Sequence, residues 1–195
     1  FHFIWCFLCF YLLFFNFIFI FFLFFFYFFI LFIFLIYQKD GGDIGTGSVF
    51  ILFLKTDGTV KTSQKISDWA GGFLGNLDKN DLFGISIANI GDLDGDNIVD
   101  IAVGSPKDDG TGLDLGAVFI IFLKTDGTVK EFHEISAAVL NGDDSDQFGR
   151  SVTLIGDVND DGIQDIAVGA YLADLGGTNR GCVYILFLDT NGKVK

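Results

Sequence analysis

Residues 91–104 read GDLDGDNIVDIAVG, and residues 156–169, 65 positions further on, read GDVNDDGIQDIAVG. Each stretch places an acidic loop directly before an apolar run. The surroundings recur as well, since Phe83-Gly84 lies upstream of the first copy and Phe148-Gly149 upstream of the second. A period of this length indicates a repeat protein, in which each unit is a supersecondary element that stacks on its neighbours.

The second recurring feature is an apolar hexamer followed by a turn. Residues 49–54, 118–123 and 183–188 read VFILFL, VFIIFL and VYILFL, and an Asp-Gly or Asn-Gly pair follows each one. Those pairs supply the positive φ that tight β-hairpins require. The hexamers are short and rich in β-branched and aromatic residues, which favours strands. Because they are apolar at every position, we expect these strands to be covered on both faces.

The order within a unit is strand, acidic loop, strand, loop, apolar strand, turn, strand. Four antiparallel strands in this order are typical of one blade of a β-propeller. The sequence therefore predicts an all-β protein, a partial β-propeller of about two and a half blades. We place half a blade at residues 47–66, a full blade at 81–135 and a nearly full blade at 146–195. Two and a half blades cannot close a ring, so we expect further blades in a longer chain.

The acidic loops, residues 92–100 and 157–165, predict two Ca²⁺ sites. Oxygen-bearing side chains stand at loop positions 1, 3, 5 and 9, and position 7 can give its backbone carbonyl to a cation that takes six to eight oxygen ligands. Position 6 is Asn97 or Gly162, and both residue types tolerate a left-handed turn. The predicted ligands are Asp92, Asp94, Asp96, Ile98 and Asp100 in the first loop, and Asp157, Asn159, Asp161, Ile163 and Asp165 in the second.

The EF-hand is the alternative acidic calcium loop. It needs an acidic bidentate ligand at position 12 and a helix on either side. Here position 12 is Val103 or Val168, inside an apolar run. The sequence therefore disfavours an EF-hand and predicts loops that join strands.

The charge balance limits the partners. The formal net charge is −13, and every Asp, Glu, Lys and Arg lies in residues 38–195. An acidic domain of this kind has no basic face for phosphates, which argues against a nucleic-acid partner. It suits cation binding and a secreted or surface-exposed protein.

Residues 1–37 form a separate, Phe-rich apolar segment, with 17 of the 26 Phe and no Gly or formal charge. Two interpretations stay open: a membrane anchor or uncleaved signal, or translated low-complexity DNA joined to a genuine domain. The segment lacks a basic n-region, a small-residue cleavage site and an initiator Met, so we expect the natural N-terminus to lie elsewhere. Cys6 and Cys9 in this segment and the single downstream Cys182 form no disulfide framework.

These motifs resemble the FG-GAP repeat family, which also forms the heads of integrin α subunits. Phe83-Gly84 and Phe148-Gly149 are similar to its opening pair, and the acidic loops to its calcium site. Residues 104–106 (GSP) and 169–171 (GAY) are similar to its closing Gly-Ala-Pro element, with substitutions. The resemblance covers about residues 47–195. It implies a β-propeller, seven-bladed in integrin heads, whose calcium loops lie on one rim while ligands or partner subunits bind elsewhere.

The function implied is a non-catalytic, extracellular or cell-surface module for adhesion, with an unknown protein or glycan ligand. If residues 1–37 are an anchor, they attach this module to a membrane. Two alternatives are a propeller appended to a secreted or surface hydrolase, and a structural spacer on a cell surface. His133 has no nucleophile or base in a recurring pattern nearby, so we predict that the chain is not an enzyme.

The connection between the first two units holds two aromatic residues, Trp69 and Phe73. They could contact a ligand or cover the edge of a blade. The sequence favours the second interpretation, because large aromatic side chains in a connection are usually buried.

Overall fold

The computed structural model describes the backbone of residues 31–35, together with residues 45–109, 114–140, 145–174 and 177–195. These residues form three antiparallel sheets that follow one another along the chain, and a 3-10 helix, Ala137–Leu140, follows the second sheet. The strands are β1 (Leu31–Leu35), β2 (Val49–Leu54), β3 (Val60–Ile66), β4 (Ser86–Gly91), β5 (Asp100–Ser105), β6 (Ala117–Leu123), β7 (Val129–Ser136), β8 (Phe148–Gly156), β9 (Asp165–Ala170) and β10 (Cys182–Leu186).

The second sheet is a complete blade. Its strand order is β4-β5-β6-β7, and each strand is antiparallel to the next. The third sheet, β8-β9-β10, repeats the first three strands, and a bridge between Leu188 and Val194 continues it where the fourth strand is expected. The predicted all-β class and the partial propeller of four-stranded blades are confirmed.

The first sheet contains one strand more than the sequence predicts. Beyond the expected pair β2 and β3, it includes β1, which pairs antiparallel with β2 from Leu31 opposite Phe53 to Leu35 opposite Val49. The physical reason is that β2 has a second edge of backbone N–H and C=O groups, and an apolar strand satisfies them.

β1 comes from the Phe-rich segment, and the rest of residues 1–37 lies outside the described residues. Among the residues that the structure does describe, no helix is both long and apolar enough to cross a membrane. The interpretations of residues 1–37 as an anchor or as translated low-complexity sequence stay predictions.

The blades stack through the central strand β6, which is buried at all seven positions. Its side chains alternate between two clusters: Phe119 and Ile121 pack against the first blade, and Ile120 and Phe122 against the third. Burial of one such side chain contributes about 1.5–3 kcal/mol. The expectation that the apolar hexamer is covered on both faces is confirmed for this strand.

The outer face of the third blade is uncovered in the described structure. Val183 and Ile185 are 67% and 46% exposed, and Phe187 just beyond β10 is 37% exposed. The residues 65 positions earlier are Val118, Ile120 and Phe122, which are at most 3% exposed under the third blade. The same repeat position is therefore an interface in the second blade and an open apolar face in the third.

The second and third blades pack closely at Gly104 on β5. A Cβ there would lie 2.0 Å from the backbone oxygen of Gly149 and 2.3 Å from the Oγ of Ser86. Ser86 Oγ also donates a hydrogen bond to that oxygen at 2.8 Å. At the repeat-equivalent Gly169, the near contact is with the side-chain oxygen of Ser151 at 2.4 Å, and the nearest backbone atom lies at 4.0 Å.

We expect Gly104→Ala to lower the free energy of unfolding by about 1–3 kcal/mol, because a methyl group at this junction forces two backbones apart. Gly169→Ala is the matched control. It should cost less than about 1 kcal/mol, since the Ser151 hydroxyl can rotate away. Urea denaturation of the two variants measures the difference, and equal losses would contradict this account of blade stacking.

Candidate metal centre

The two acidic loops occupy equivalent places in adjacent blades. Residues 92–100 connect β4 to β5, and residues 157–165 connect β8 to β9. Both loops therefore close a hairpin between the first two strands of a blade, as the sequence predicts. Strands, and no helices, flank them within the described residues, which excludes the EF-hand alternative.

Asp92 organises the first loop by accepting backbone N–H groups with both carboxylate oxygens. The donors are Gly95, Asp96 and Asn97, at 2.8, 2.9 and 2.8 Å. Asp157 holds the second loop in the same way, through the amides of Asp161 at 3.0 Å and Gly162 at 2.7 Å. The loop curls around the carboxylate at its first position, so the following side chains turn towards one another.

The curl needs left-handed backbone at two positions. The sequence predicts one of them, and position 6 is left-handed as expected, with φ of 65° at Asn97 and 87° at Gly162. The sequence analysis missed the other, position 4, where φ is 81° at Gly95 and 61° at Asp160. The glycine was an available signal in the first loop, whereas Asp160 gave only a weak one, because aspartate tolerates a positive φ better than most residues but adopts it in a minority of cases.

Three of the predicted side-chain ligands converge in the first loop. Asp92, Asp94 and Asp100 each place one carboxylate oxygen within 4.8 Å of the others. Asp96 lies outside this group. In the second loop an amide, Asn159, takes the place of Asp94, so that loop carries one carboxylate fewer at the predicted ligand positions.

Asp100 ties the loop to the core of the blade. It is fully buried, and it accepts the N–H of Leu93 at 2.9 Å and that of Leu123 on β6 at 3.2 Å. Burial raises the pKa of Asp100 to about 6, although both hydrogen bonds favour the ionised form. Asp165 makes the same two backbone contacts in the third blade. The last loop position is thus a structural anchor as well as a predicted ligand.

The predicted carbonyl ligands, Ile98 and Ile163, are fixed through their side chains. Ile98 packs against the cluster between the first and second blades, and Ile163 against the cluster between the second and third. Their amides donate to Asp96 and Asp161, each at 2.9 Å. Position 7 therefore joins each loop to a blade interface, which limits the movement of its backbone.

A lysine that follows an Asx-Gly turn contacts each loop, Lys130 from β7 and Lys195 from the residues beyond β10, and the sequence analysis missed both contacts. Lys130 Nζ lies 2.7 Å from Asp94 Oδ2 and 2.5 Å from Asp96 Oδ2. Lys195 Nζ pairs with Asp161 in the second loop. The hydrogen bond from Lys130 holds the pKa of Asp96 below its usual range. The available signal was the Val-Lys pair that recurs after each Asx-Gly turn.

The residues present fit a hard divalent cation. The side chains at the predicted ligand positions of the two loops offer carboxylate and amide oxygens, the ligands that Ca²⁺ prefers, and three of the carboxylates converge in the first loop. In both loops a positively charged ammonium already contacts these oxygens, which indicates an electrostatic preference for a cation.

Stacked four-stranded blades, each with an acidic loop in its first hairpin, define the described residues as part of a β-propeller. Residues 148–186, which run from the start of β8 to the end of β10, match the FG-GAP repeat family. The chain is an integrin-like FG-GAP repeat protein.

Curated relatives include three integrin α subunits. Integrin alpha-3 of Cricetulus griseus is 36% identical over 76% of this chain and 13% of its own length. Integrin alpha-4 of Xenopus laevis is 36% identical over 47% of this chain and 9% of its own length. Integrin alpha-6 of Homo sapiens is 35% identical over 48% of this chain and 8% of its own length. The chain thus spans about an eighth or less of these relatives.

A second carboxylate with a raised pKa lies away from the loops. Asp81 is 2% exposed and accepts the N–H of Asp78 with Oδ2 at 2.5 Å. Its Oδ1 is buried with no hydrogen-bond partner among the described residues. Burial raises the pKa of Asp81 to about 6.

The metal-free protein is expected to lose stability as the pH rises from about 4 to about 6. Asp81 and Asp100 have a pKa of about 6 in the folded chain, against an ordinary value of 3.8. The folded state therefore binds more protons than the unfolded state in this window. This protonation stabilises the folded chain by on the order of 2–3 kcal/mol per group. The stabilisation is complete below the ordinary pKa of 3.8 and is lost as the pH rises past the folded pKa of about 6.

Urea denaturation in metal-free buffer at several pH values measures this loss. Asp81→Asn should make the free energy of unfolding depend less steeply on pH and leave the acidic loops unchanged. Carboxylates with lowered pKa, such as Asp96, act in the opposite direction, but below about pH 4. A free energy of unfolding that stays constant or increases between pH 4 and 6 would contradict the prediction.

Proposed function

We propose that this chain binds two Ca²⁺ ions, one in each acidic loop, and that the ions stiffen β-propeller repeats of an extracellular adhesion protein. The observation that carries the proposal is the convergence of Asp92, Asp94 and Asp100 to within 4.8 Å, in a loop whose backbone hydrogen bonds recur in the next blade. The proposed ligands are those predicted from the sequence, with Ile98 and Ile163 contributing their carbonyl oxygens.

Electrostatics supports a bound cation. Two carboxylates at ~4 Å repel by about 1–4 kcal/mol, depending on the local dielectric, and the first loop gathers three. A divalent ion turns this repulsion into attraction. Because the loop is already curled by backbone bonds to Asp92, little ordering remains to oppose binding.

An extracellular setting suits these sites. Extracellular calcium modules bind with Kd of about 10⁻⁴–10⁻³ M. For a Kd near 10⁻⁴ M in ~1 mM calcium, mass action stabilises the fold by about 1.4 kcal/mol per site. The formal charge of −13 also favours a cation-rich environment.

Isothermal titration calorimetry should detect two calcium ions per chain, and Asp94→Ala, which leaves no oxygen ligand at this position, should reduce this to one. The reason is that the substitution removes one of three converging carboxylates from the first loop and leaves the second intact.

The matched control for this titration is Asp57→Asn. It removes an exposed carboxylate from a hairpin turn, where the Asn side chain can still accept a hydrogen bond from the Thr59 amide. We expect it to leave both sites unchanged. A wild-type chain that binds no calcium, or a stoichiometry that Asp94→Ala does not alter, would contradict the proposal.

We further propose that the chain acts in adhesion or ligand binding and has no catalytic activity. Its relatives are named integrin α subunits, and the ligand would be an extracellular protein or glycan. The uncovered face of Val183, Ile185 and Phe187 would be covered by another blade of the same repeat. Attachment to a membrane through residues 1–37 rests on the composition of that segment.

Trp69 is the proposed ligand contact. It is 78% exposed in the connection after β3, with a left-handed φ of 59°, whereas the neighbouring Phe73 is fully buried and contacts three other Phe rings. The expectation that both residues cover a blade edge is confirmed for Phe73 and wrong for Trp69. Exposed Trp side chains are enriched among residues that dominate binding energy.

A solid-phase assay against a panel of matrix proteins and glycans tests this function. We expect binding in millimolar calcium, at least tenfold weaker binding by Trp69→Ala, and an unchanged melting temperature, because this side chain buries little surface. Leu74→Ala, at a 69% exposed position in the same connection, is the control. Failure to bind any member of the panel would favour the spacer alternative.

A further inference from the structure

The Lys130 ammonium contacts one carboxylate oxygen of Asp94 and one of Asp96, while the other oxygen of each accepts a backbone N–H. In Asp94 and in Asp96, Oδ1 accepts a backbone N–H within the loop, from Asp96 and Ile98 respectively. The remaining oxygen of each, Oδ2, contacts the Lys130 ammonium. A cation that binds through either of these Oδ2 atoms must therefore compete with Lys130 for that oxygen.

The second loop has the same arrangement. Asp161 Oδ1 accepts the Ile163 amide, and Asp161 Oδ2 receives Lys195. Lys195 lies 65 positions after Lys130, in the residues that follow the third Asx-Gly turn. Two independent copies of the repeat thus place an ammonium on the outward oxygen of the carboxylate at loop position 5.

We propose that Lys130 and Lys195 are internal counter-cations, which neutralise the loops in the metal-free protein and must be displaced when a divalent cation binds. The inference rests on the proposed calcium function. The lysines therefore lower the affinity of the loops and set the calcium concentration at which they fill. Their displacement also breaks a link between the first hairpin of the blade and its outer strand.

The competition is weak enough for calcium to win. The Lys130 side chain is 40% exposed, and its partners Asp94 and Asp96 are 20% and 25% exposed. Ion pairs with this exposure stabilise a protein by about 0.2–1 kcal/mol each. Two such contacts correspond to a change of about two- to thirtyfold in an equilibrium constant. A divalent ion that also engages Asp92 and Asp100 gains more than this.

The decisive variants are Lys130→Met and Lys195→Met, because methionine has a similar length and offers no oxygen ligand. Calcium titration by calorimetry should show the first-loop site strengthened by about two- to thirtyfold in Lys130→Met, which loses two ion pairs, and the second-loop site by up to about fivefold in Lys195→Met, which loses one. The double variant should show both gains. In EDTA, each variant should melt at a lower temperature than the wild type, because the loop has lost its counter-cation.

Lys61→Met is the matched control. Lys61 occupies the same position after the first turn, and it makes no ion pair with a carboxylate among the described residues. Lys61→Met changes the net charge by the same amount as Lys130→Met. A gain in calcium affinity that came from the net charge alone would therefore appear equally in both variants. We expect its affinities to stay within about twofold of the wild type.

The outcomes separate the two proposals. If the wild type binds two ions and Lys130→Met binds with unchanged or weaker affinity, the counter-cation role is wrong and the calcium function stands. Equal gains in Lys130→Met and Lys61→Met also overturn it. If no variant and no wild-type chain binds calcium, both proposals fail.

Discussion

The alternation of β6 side chains between two neighbouring blades is the constraint on which the rest of the structure depends. Phe119 and Ile121 face one neighbour while Ile120 and Phe122 face the other, so no blade can bury its central strand alone. This requirement explains why the hexamers are apolar at every position. It also explains the open face at Val183, where no blade among the described residues lies against the same sequence pattern.

The packing of the blades determines the shape of the acidic loops. Asp100 reaches across the blade to the amide of Leu123, and Ile98 packs into the interface with the preceding blade. Burial of Asp100 raises its pKa. The repeat-equivalent Asp165 is also buried, and it accepts the N–H groups of Val158 and Leu188. Asp100 and Ile98 are proposed cation ligands that also pack within or between the blades. A bound ion would therefore stabilise the interface as well as the loop.

The sequence predicted what depends on local pattern. Residues 49–54 form β2 as expected, and the left-handed Asn97 follows from its place in the loop. The contact between Lys130 and Asp94 joins residues 36 positions apart, and it depends on the twist of the blade, which no periodicity reveals. β1 was missed because a segment with an extreme composition gives no strand boundary. The exposure of Trp69 was missed because burial in a connection depends on which neighbour covers it.

Anomalous diffraction from crystals grown in calcium tests the central claim most directly, because it locates the ion independently of its effect on stability. The account predicts two anomalous peaks, one in each loop, within about 2.3–2.6 Å of carboxylate oxygens that include those of Asp92 and Asp157. Lys130 and Lys195 should then have moved away from Asp96 and Asp161. Loops without anomalous density in saturating calcium, with both lysines still in place, would contradict it.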